Sequence, residues 1–295
     1  MDYTYSVSIP HYNSPKLLAR MLKSIPERED IQVIVVDDGS SEDNVVELKK
    51  LQHKNLELIL LDENHGGGYA RNVGLQHASG RWFISVDADD YFSNDAFEVF
   101  DKYKDKDIEC LYFCLNCVEN DGSISVDRVS IPDMSVRNYL HNPSLKNERS
   151  LRYRSTTSWN KLVSLDFIKA NKIRYEDCRV NIDVLFSFGI GYNVKRLKVI
   201  PDVLYNLVNA EGSITRKYRT IEREFMFYLQ VQKRNGFFEA VGLKRWPYYR
   251  YDFLYIPFML KKRGPKGAWQ FFKYRREHIE EVKEARRAYL TLLQK

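Results

Sequence analysis

The first 90 residues alternate short apolar, β-branched runs with stretches of helical pattern, and this alternation restricts the fold more than any other feature. The runs that we predict to be strands are Tyr5–Pro10, Gln32–Asp37, Leu56–Leu61 and Arg81–Val86. Strands that alternate with helices are typical of an α/β fold, in which a mainly parallel sheet is flanked by helices. Ligands of such sheets bind at the carboxyl ends of the strands. We therefore expect the polar loops after Ile9, Val36 and Val86 to meet in one crevice.

The rest of the chain changes pattern twice. Between residues 91 and 215, helical patterns mix with shorter strands, and Glu109–Val118 is predicted to be a buried strand. Further along, apolar residues recur at three- and four-residue spacing over Ile221–Arg234 and Arg275–Leu293. Such spacing predicts helices. The carboxyl-terminal part is therefore expected to be helical.

Charge divides the chain into an acidic and a basic part. Residues 1–215 carry 26 Lys and Arg against 32 Asp and Glu, whereas residues 216–295 carry 20 against 8, so the net charges are −6 and +12. The basic part also carries the aromatic residues Trp246, Tyr248, Tyr249 and Trp269. Such a mixture suits an anionic membrane surface or nucleic acid, and equally a helical appendage with a solvated basic face. We predict an α/β domain over residues 1–215 and a helical, basic and aromatic extension over residues 216–295.

Several protein classes are excluded by what the chain lacks. No segment approaches the roughly 18 uncharged apolar residues that a membrane span requires. The start of the chain, Met1–Tyr5, has neither the basic residues nor the apolar stretch of a signal peptide. The four cysteines are too few for a disulfide framework in a chain of 295 residues. We therefore expect a cytoplasmic protein.

An acidic loop, Asp87-Ala88-Asp89-Asp90, directly follows the predicted strand Arg81–Val86. Its three carboxylates repel one another unless a cation or protons intervene. Hard oxygen ligands that leave room for diphosphate oxygens suit Mg²⁺ or Mn²⁺. The alternative is that Asp87 and Asp90 merely cap the next helix.

Two further loops follow neighbouring predicted strands. In the segment Val35–Ser40, a carboxylate can accept the imide N–H of a uracil ring while Gly39 keeps the backbone clear of the base. The alternative here is an ordinary strand–turn–helix connection with a capping Asp. The other loop, Asn64–Asn72, is rich in glycine, but its spacing matches neither a Walker motif nor a dinucleotide-binding motif.

Together these loops closely resemble glycosyltransferase family 2 in their order and spacing. The segments that carry the resemblance are Ser6–Asn13, Val35–Ser40, Gly67–Gly74 and Asp87–Asp90. The resemblance is strong over residues 4–100 and continues more weakly to about residue 215. It implies a GT-A (Rossmann-like) fold in which residues 1–100 bind a nucleotide sugar and residues 101–215 form the acceptor side. It also implies a UDP-sugar donor that is bound together with Mn²⁺ or Mg²⁺.

The resemblance assigns roles to the residues around the base of the donor. Pro10 and Tyr12 would line the base pocket. Asp38 would hold uracil, and Arg71 would approach the nucleotide.

The same resemblance makes the acidic loop the metal site. Asp87 and Asp89 would be the carboxylates for the metal and the ribose. Ala88 would lie between them in the donor site, and Asp90 beside them.

The catalytic base is expected in the weaker part of the resemblance. Relatives with this layout carry a Glu-Asp pair eight and nine residues after an Ile-x-aromatic triplet, which here is Ile173–Tyr175. The corresponding positions hold Ile182 and Asp183, so the Glu is absent and Asp183 is the expected base. The neighbouring Asp177 is the alternative base, and Asp183 can also be interpreted as the cap of the following helix.

Two more segments resemble parts of the same family. Trp159-Asn160-Lys161-Leu162 resembles the segment before the catalytic region, which makes Trp159 and Lys161 further candidates for the site. The stretch from Leu204-Tyr205 to Gly212-Ser213-Ile214 resembles the closing segment.

These assignments imply an inverting transferase in cell-surface polysaccharide biosynthesis. Asp183 would accept the proton of an acceptor hydroxyl, and the acceptor would be a saccharide or a lipid-linked saccharide. The basic residues 216–295 would hold the enzyme at the inner face of the cell membrane, and no nucleic acid is expected as a partner.

Two other functions remain as alternatives to the transferase. A sugar nucleotidyltransferase would carry a Gly-rich loop with Arg and Lys near the amino terminus, and Ile9–Asn13 has neither. A nucleotide- or nucleic-acid-binding protein without transferase activity would bind nucleic acid in a salt-sensitive way.

Overall fold

The computed structural model describes residues 3–125, 130–178, 181–209, 220–243 and 254–293. The chain forms two compact units, one within residues 1–211 and the other within residues 212–295. The predicted boundary between residues 215 and 216 falls in residues 210–219, which are outside the described ranges, as are the predicted closing residues 212–214. The exact boundary therefore stays a prediction.

The described part of the first unit is built on one eight-stranded sheet. Its strands are β1 (Tyr5–His11), β2 (Ile31–Asp37), β3 (Leu56–Leu60), β4 (Trp82–Ser85), β5 (Tyr91–Phe92), β6 (Cys110–Val118), β7 (Lys161–Ser164) and β8 (Leu197–Val208). Their order across the sheet is β3-β2-β1-β4-β7-β6-β8-β5. The four strands from β3 to β4 run parallel, β7 is antiparallel to both of its neighbours, and β6 is parallel to β8. The predicted α/β class with a mainly parallel sheet is confirmed.

Helices cover both faces of this sheet. Those of the first unit are α1 (Pro15–Lys23), α2 (Glu42–Leu48), α3 (Gly67–His77), α4 (Ala96–Asp101), α5 (Ile131–His141), α6 (Leu145–Arg154), α7 (Leu165–Ala170) and α8 (Asp183–Asn193). In β2, Ile31, Val33 and Val35 belong to the hydrophobic cluster on one face. Ile34 and Val36 belong to the cluster on the other face. Parallel strands that are buried on both faces have a continuous run of apolar residues rather than an alternation of apolar and polar ones, and β2 has such a run.

The described part of the second unit is helical, as predicted. Its elements are α9 (Ile221–Ala240), α10 (Tyr255–Glu277), α11 (Ile279–Ala288) and a 3₁₀ turn (Tyr289–Leu293). An aromatic cluster that includes Phe225, Tyr228, Tyr255 and Phe271 forms its core. No helix in the described ranges is long and apolar enough to cross a bilayer.

One of the two predicted helices of this unit is interrupted, and the helix that overlaps its start is kinked. The predicted helix Arg275–Leu293 is interrupted at His278, whose backbone is not helical and whose ring stacks on Tyr274 at 3.9 Å between centroids. Helix α10 is also kinked at Gly264, where φ is +67°, and Pro265 follows without the N–H that a continuous helix requires. Apolar periodicity detects the helical faces but not these interruptions.

The packing of α9 against α11 depends on the absence of a side chain at Gly236. A Cβ atom there would overlap the carbonyl oxygen of Arg286. Gly236→Ala would ordinarily stabilise a helix by about 1 kcal/mol. Here we expect the opposite sign, a loss of about 1–3 kcal/mol in the free energy of unfolding, because the two helices must separate. Denaturant unfolding monitored by circular dichroism measures this change, and a variant as stable as the parent would contradict the close packing.

Candidate active site

The acidic loop after β4 brings three carboxylates together. Asp87, Asp89 and Asp90 each place one oxygen within 4.8 Å of the others. The loop turns tightly, since the Asp90 N–H donates to the Asp87 carbonyl oxygen at 3.3 Å. The next helix, α4, begins at Ala96 after Asp95, so the alternative interpretation of Asp87 and Asp90 as its caps is wrong. Three converging hard oxygen donors fit Mg²⁺ or Mn²⁺.

Asp90 is the one fully buried carboxylate of the three. Its carboxylate is buried and accepts hydrogen bonds from the Tyr205 hydroxyl at 2.9 Å and from the Val208 N–H at 2.8 Å. Burial, together with the negative charges of Asp87 and Asp89, raises the pKa of Asp90 well above its usual value. Asp90 thus anchors the loop to β8, while Asp87 and Asp89 are only partly buried.

Tyr205 supports the acidic loop from behind, a role that no sequence pattern indicated. Its hydroxyl accepts the Asp87 N–H at 3.1 Å and donates to Asp90. Its ring stacks on the buried Trp159, with centroids 5.6 Å apart and planes 5° apart. Trp159 therefore lies behind the loop and fixes the ring of Tyr205.

Arg71 joins the acidic loop to the predicted base. Its buried guanidinium donates to the Ser85 hydroxyl at 2.9 Å and to the Asp87 carboxylate. Its Nε lies 3.3 Å from a carboxylate oxygen of Asp183. Although burial opposes the charge, the carboxylates of Asp183 and Asp87 raise the pKa of Arg71 above its ordinary value. Arg71 thus contacts both acids and Ser85, and its predicted approach to the nucleotide stays a prediction.

Asp183 is a partly buried carboxylate at the first residue of α8. Burial raises its pKa, and the nearby Arg71 opposes that rise. The Ser158 hydroxyl donates to the Asp183 carboxylate at 3.3 Å. Helix α8 begins at Asp183 itself and no side chain caps it, so the alternative interpretation of Asp183 as a cap is wrong. The alternative base, Asp177, is exposed.

The segment that leads into α8 is fastened to α3, and this brings Asp183 to Arg71. Asn72 of α3 accepts the Tyr175 N–H at 2.8 Å and donates to the Tyr175 carbonyl oxygen at 3.1 Å. Gly68 lies so close to the backbone of Glu176 that no Cβ would fit. Because Arg71 is on the same helix, these contacts set the distance between the guanidinium and Asp183.

Of the three residues predicted for the base pocket, Pro10 lies near the end of β1, and Tyr12 and Asp38 lie on the loops after β1 and β2. Pro10 is partly buried and Tyr12 is exposed. Asp38 is buried, and its two carboxylate oxygens accept the N–H groups of His65 and Gly66 at 2.8 Å each. Asp38 therefore ties the second loop to the glycine-rich third loop, and its predicted contact with uracil stays a prediction.

A buried pair that the sequence analysis missed joins the first two loops. His11 Nδ1 lies 2.7 Å from the Asp37 carboxylate, and His11 Nε2 accepts the Ser14 N–H at 3.0 Å. Nε2 is therefore the acceptor nitrogen of the ring, and Nδ1 contacts Asp37. Hydrogen bonds from His11 and Ser40 outweigh burial and lower the pKa of Asp37. The loop that carries Tyr12 is held in place by this pair.

Lys161 stabilises the segment that carries Trp159. Its buried ammonium donates to the carbonyl oxygens of Ser155, at 2.9 Å, and Thr157, and to Asn160 Oδ1 at 3.2 Å. Burial lowers the pKa of Lys161 to about 8. The ammonium is thus a structural donor to the segment before β7.

Comparison with known proteins identifies related chains. The model of the family described as glycosyl transferase family 2 matches residues 6–160. Poly(ribitol-phosphate) beta-N-acetylglucosaminyltransferase TarS of Staphylococcus aureus is 28% identical over 209 residues, which are 68% of this chain and 35% of TarS. Succinoglycan biosynthesis protein ExoO of Rhizobium meliloti is 26% identical over 284 residues, which are 90% of this chain and 80% of ExoO. This chain therefore spans about a third of the length of TarS.

Solved structures share the fold. TarS 1–349 of S. aureus in complex with UDP-GlcNAc has a TM-score of 0.60 and 24% identity, with coverage of 78% of this chain and 65% of that one. A mannosyltransferase of Pyrobaculum calidifontis, in complex with GDP-Man and Mn²⁺, has a TM-score of 0.51 and 17% identity, with coverage of 82% and 65%. At these identities the likeness concerns the fold alone.

Lys161→Met tests the role of the buried ammonium. Methionine fills the same volume but cannot donate to the three oxygens that Lys161 contacts, so we expect the free energy of unfolding to fall by about 2–4 kcal/mol. Denaturant unfolding of both proteins at pH 7 measures the change. Lys169→Met, at an exposed position of α7, is the matched control and should change stability by less than about 0.5 kcal/mol. Equal effects of the two substitutions would contradict the role of Lys161.

Proposed function

The chain belongs to glycosyltransferase family 2, and from that premise we propose that it transfers a sugar from a UDP-sugar to a saccharide or lipid-linked saccharide, with inversion at the anomeric carbon. The observation that carries the proposal is the buried Arg71, which joins Asp87 of the acidic loop to Asp183. The carboxylate assigned to the donor site and the carboxylate assigned as the base are thereby held close to each other. Such an arrangement suits a reaction in which a hydroxyl is deprotonated near a leaving diphosphate.

The donor assignment combines the loops with what related proteins bind. TarS has been solved with UDP and with UDP-GlcNAc, which favours a uridine nucleotide here. Pro10 and Tyr12 would contact the base, and Asp38, which shapes the adjoining loops, would face the uracil. Asp87 and Asp89 would hold a Mn²⁺ or Mg²⁺ ion, with Ala88 between them. When bound, the ion neutralises negative charge on the diphosphate, and the Mn²⁺ complex of the mannosyltransferase supports this assignment.

In the proposed mechanism, Asp183 removes the proton from the acceptor hydroxyl as that oxygen attacks the anomeric carbon. Burial, which raises the pKa of Asp183, makes its carboxylate a stronger proton acceptor than an exposed one. Arg71 orients the carboxylate from one side, and Ser158 donates to it. Trp159 and Lys161 act indirectly. Trp159 fixes the ring of Tyr205, and Lys161 fixes the segment that carries Ser158.

The acceptor is proposed from the relatives and from the charge of the chain. Relatives include a protein of succinoglycan biosynthesis and a transferase acting on poly(ribitol-phosphate), which favours a cell-surface polymer or its lipid-linked precursor. The basic residues 216–295 would hold the enzyme peripherally at the inner face of the cell membrane. Trp246, Tyr248 and Tyr249, which we predict to contact headgroups, lie outside the described residues. The alternative of nucleic-acid binding has no comparable support.

A pair of substitutions separates the base from the metal site. We expect Asp183→Asn to lower kcat by about 10²–10⁴-fold and to leave donor affinity within about twofold, because the amide keeps the shape but accepts no proton. Asp89→Ala should instead weaken Mn²⁺ and donor binding together, by about tenfold or more. Steady-state transfer assays and calorimetric titration of the donor with Mn²⁺ measure both effects. Asp177→Asn is the matched control and should transfer sugar at the parental rate. If Asp177→Asn were inactive and Asp183→Asn active, the base assignment would be wrong.

The choice of donor can be tested without knowledge of the acceptor. A ligand that binds only the folded protein raises its melting temperature, and the rise grows with the logarithm of the ratio of ligand concentration to Kd. We expect one UDP-sugar from a panel of nucleotide sugars to raise Tm by several degrees with Mn²⁺ present, and by clearly less when EDTA replaces Mn²⁺. Stabilisation by a nucleoside triphosphate alone would favour the nucleotidyltransferase alternative. Stabilisation by nucleic acid alone would favour the binding-protein alternative.

A further inference from the structure

Helix α1 contacts the acidic loop through Arg20. The guanidinium of Arg20 donates a hydrogen bond through Nη2 to the carbonyl oxygen of Asp89. It also lies over the ring of Tyr91, with its central carbon 5.4 Å from the ring centroid. At the end of the helix, the Ser24 hydroxyl accepts the Phe92 N–H at 3.0 Å. Helix α1 therefore holds the loop at Asp89 and also holds the two residues of β5, which follow the loop.

Arg20 holds the part of the loop that β8 does not hold. From β8, the Tyr205 hydroxyl accepts the Asp87 N–H and donates to the Asp90 carboxylate. Asp89 lies between these two points, and Arg20 fixes its carbonyl group. Because a peptide group is planar, a hydrogen bond that fixes a carbonyl also restricts the dihedral angles of the residue that carries it. The contact with Arg20 therefore bears on the direction in which the Asp89 carboxylate points.

Stability alone does not account for an arginine at this position of α1. The Nε of Arg20 is buried and makes no hydrogen bond within the described residues. A buried donor without a partner is destabilising, and an apolar residue would avoid that cost. An apolar residue, however, could not donate to the Asp89 carbonyl oxygen. The arginine therefore serves the acidic loop rather than the packing of the helix.

We propose that Arg20 is a positioning residue for the metal: by fixing the Asp89 carbonyl group, it directs the Asp89 carboxylate toward the Mn²⁺ or Mg²⁺ ion that Asp87 also binds. The inference rests on the proposed function, from which the roles of Asp87 and Asp89 are taken. Arg20 acts through Asp89 and does not itself bind the ion. Helix α1 begins at Pro15, shortly after Tyr12, so the same helix also connects the predicted base pocket with the metal site.

Positioning and simple electrostatics predict opposite changes in metal affinity when Arg20 is replaced by a neutral residue. A guanidinium close to the site repels a divalent cation, so loss of its charge alone would strengthen Mn²⁺ binding. Loss of the hydrogen bond to Asp89 instead releases the carboxylate from the geometry that the ion requires, and Mn²⁺ binding weakens. The direction of the change therefore separates the two effects.

The test is a titration of the full chain with Mn²⁺ in the presence of UDP, monitored by the electron paramagnetic resonance signal of unbound Mn²⁺. We expect Arg20→Met to raise the Kd for Mn²⁺ about 10–100-fold, the usual effect of removing a residue that orients a metal ligand. Arg20→Lys keeps the charge and a donor, and should bind Mn²⁺ more tightly than Arg20→Met. Circular dichroism and melting temperature verify that each variant is folded. If Arg20→Met does not fold, Arg20→Gln is titrated instead, with the same expected loss.

Lys23→Met is the matched control, because Lys23 is exposed on the same helix and its replacement removes the same charge. It should bind Mn²⁺ within about twofold of the parent. A role of Arg20 in stability alone would lower the melting temperature and leave the Kd of the folded protein unchanged. Unchanged or tighter Mn²⁺ binding by the neutral Arg20 variant would therefore overturn the proposal. Equal losses in that variant and in Lys23→Met would overturn it as well, since they would be an effect of charge.

The proposed transferase function has a separate readout. A parent protein that binds Mn²⁺ but is stabilised by no UDP-sugar would contradict the transferase proposal, and the titrations would still decide the role of Arg20. A parent that is stabilised by a UDP-sugar, together with an Arg20→Met variant of unchanged Mn²⁺ affinity, would contradict the role of Arg20 alone. No binding of Mn²⁺ by the parent in the presence of UDP would overturn both proposals.

Discussion

The arrangement of the site depends on one buried cation, the guanidinium of Arg71. It lies between the carboxylates of Asp87 and Asp183 and is too deeply buried to be hydrated by solvent water. A buried charge without partners would be strongly destabilising, so the fold is stable only when both acids are close to it. The same requirement that stabilises the protein therefore brings the acidic loop and the predicted base together.

A second layer of contacts makes this arrangement rigid. Tyr205 and Trp159 support the acidic loop from β8 and from the segment before β7, and Lys161 binds three oxygens of that segment. On the other side, Asn72 fastens the approach to α8 onto the helix that carries Arg71. Aromatic stacking and buried hydrogen bonds leave few alternative positions for the side chains, which holds the carboxylates in fixed positions.

The sequence was most informative about the site where parallel strands are close together in the chain. Strands β1, β2 and β4 end at the same edge of the sheet, because parallel neighbours place their carboxyl ends there, and the single crevice expected between their loops stays a prediction. The His11–Asp37 pair was missed, since a histidine after a strand has no pattern of its own. The break at His278 was missed as well, because the apolar spacing of α10 and α11 continues across it. Periodicity reports which face is buried and does not report where the backbone leaves the helix.

What the sequence determined by itself is the α/β class, the family and the set of acids from which a site can be built. Those features follow from local patterns, in which strand, loop and carboxylate are adjacent in the chain. Only the tertiary structure decided how the acids divide: Asp90 turns inward to Tyr205, Asp183 lies against Arg71, and Asp177 remains exposed. The physical reason is that burial and charge pairing depend on segments about a hundred residues apart, whose distances no local pattern records.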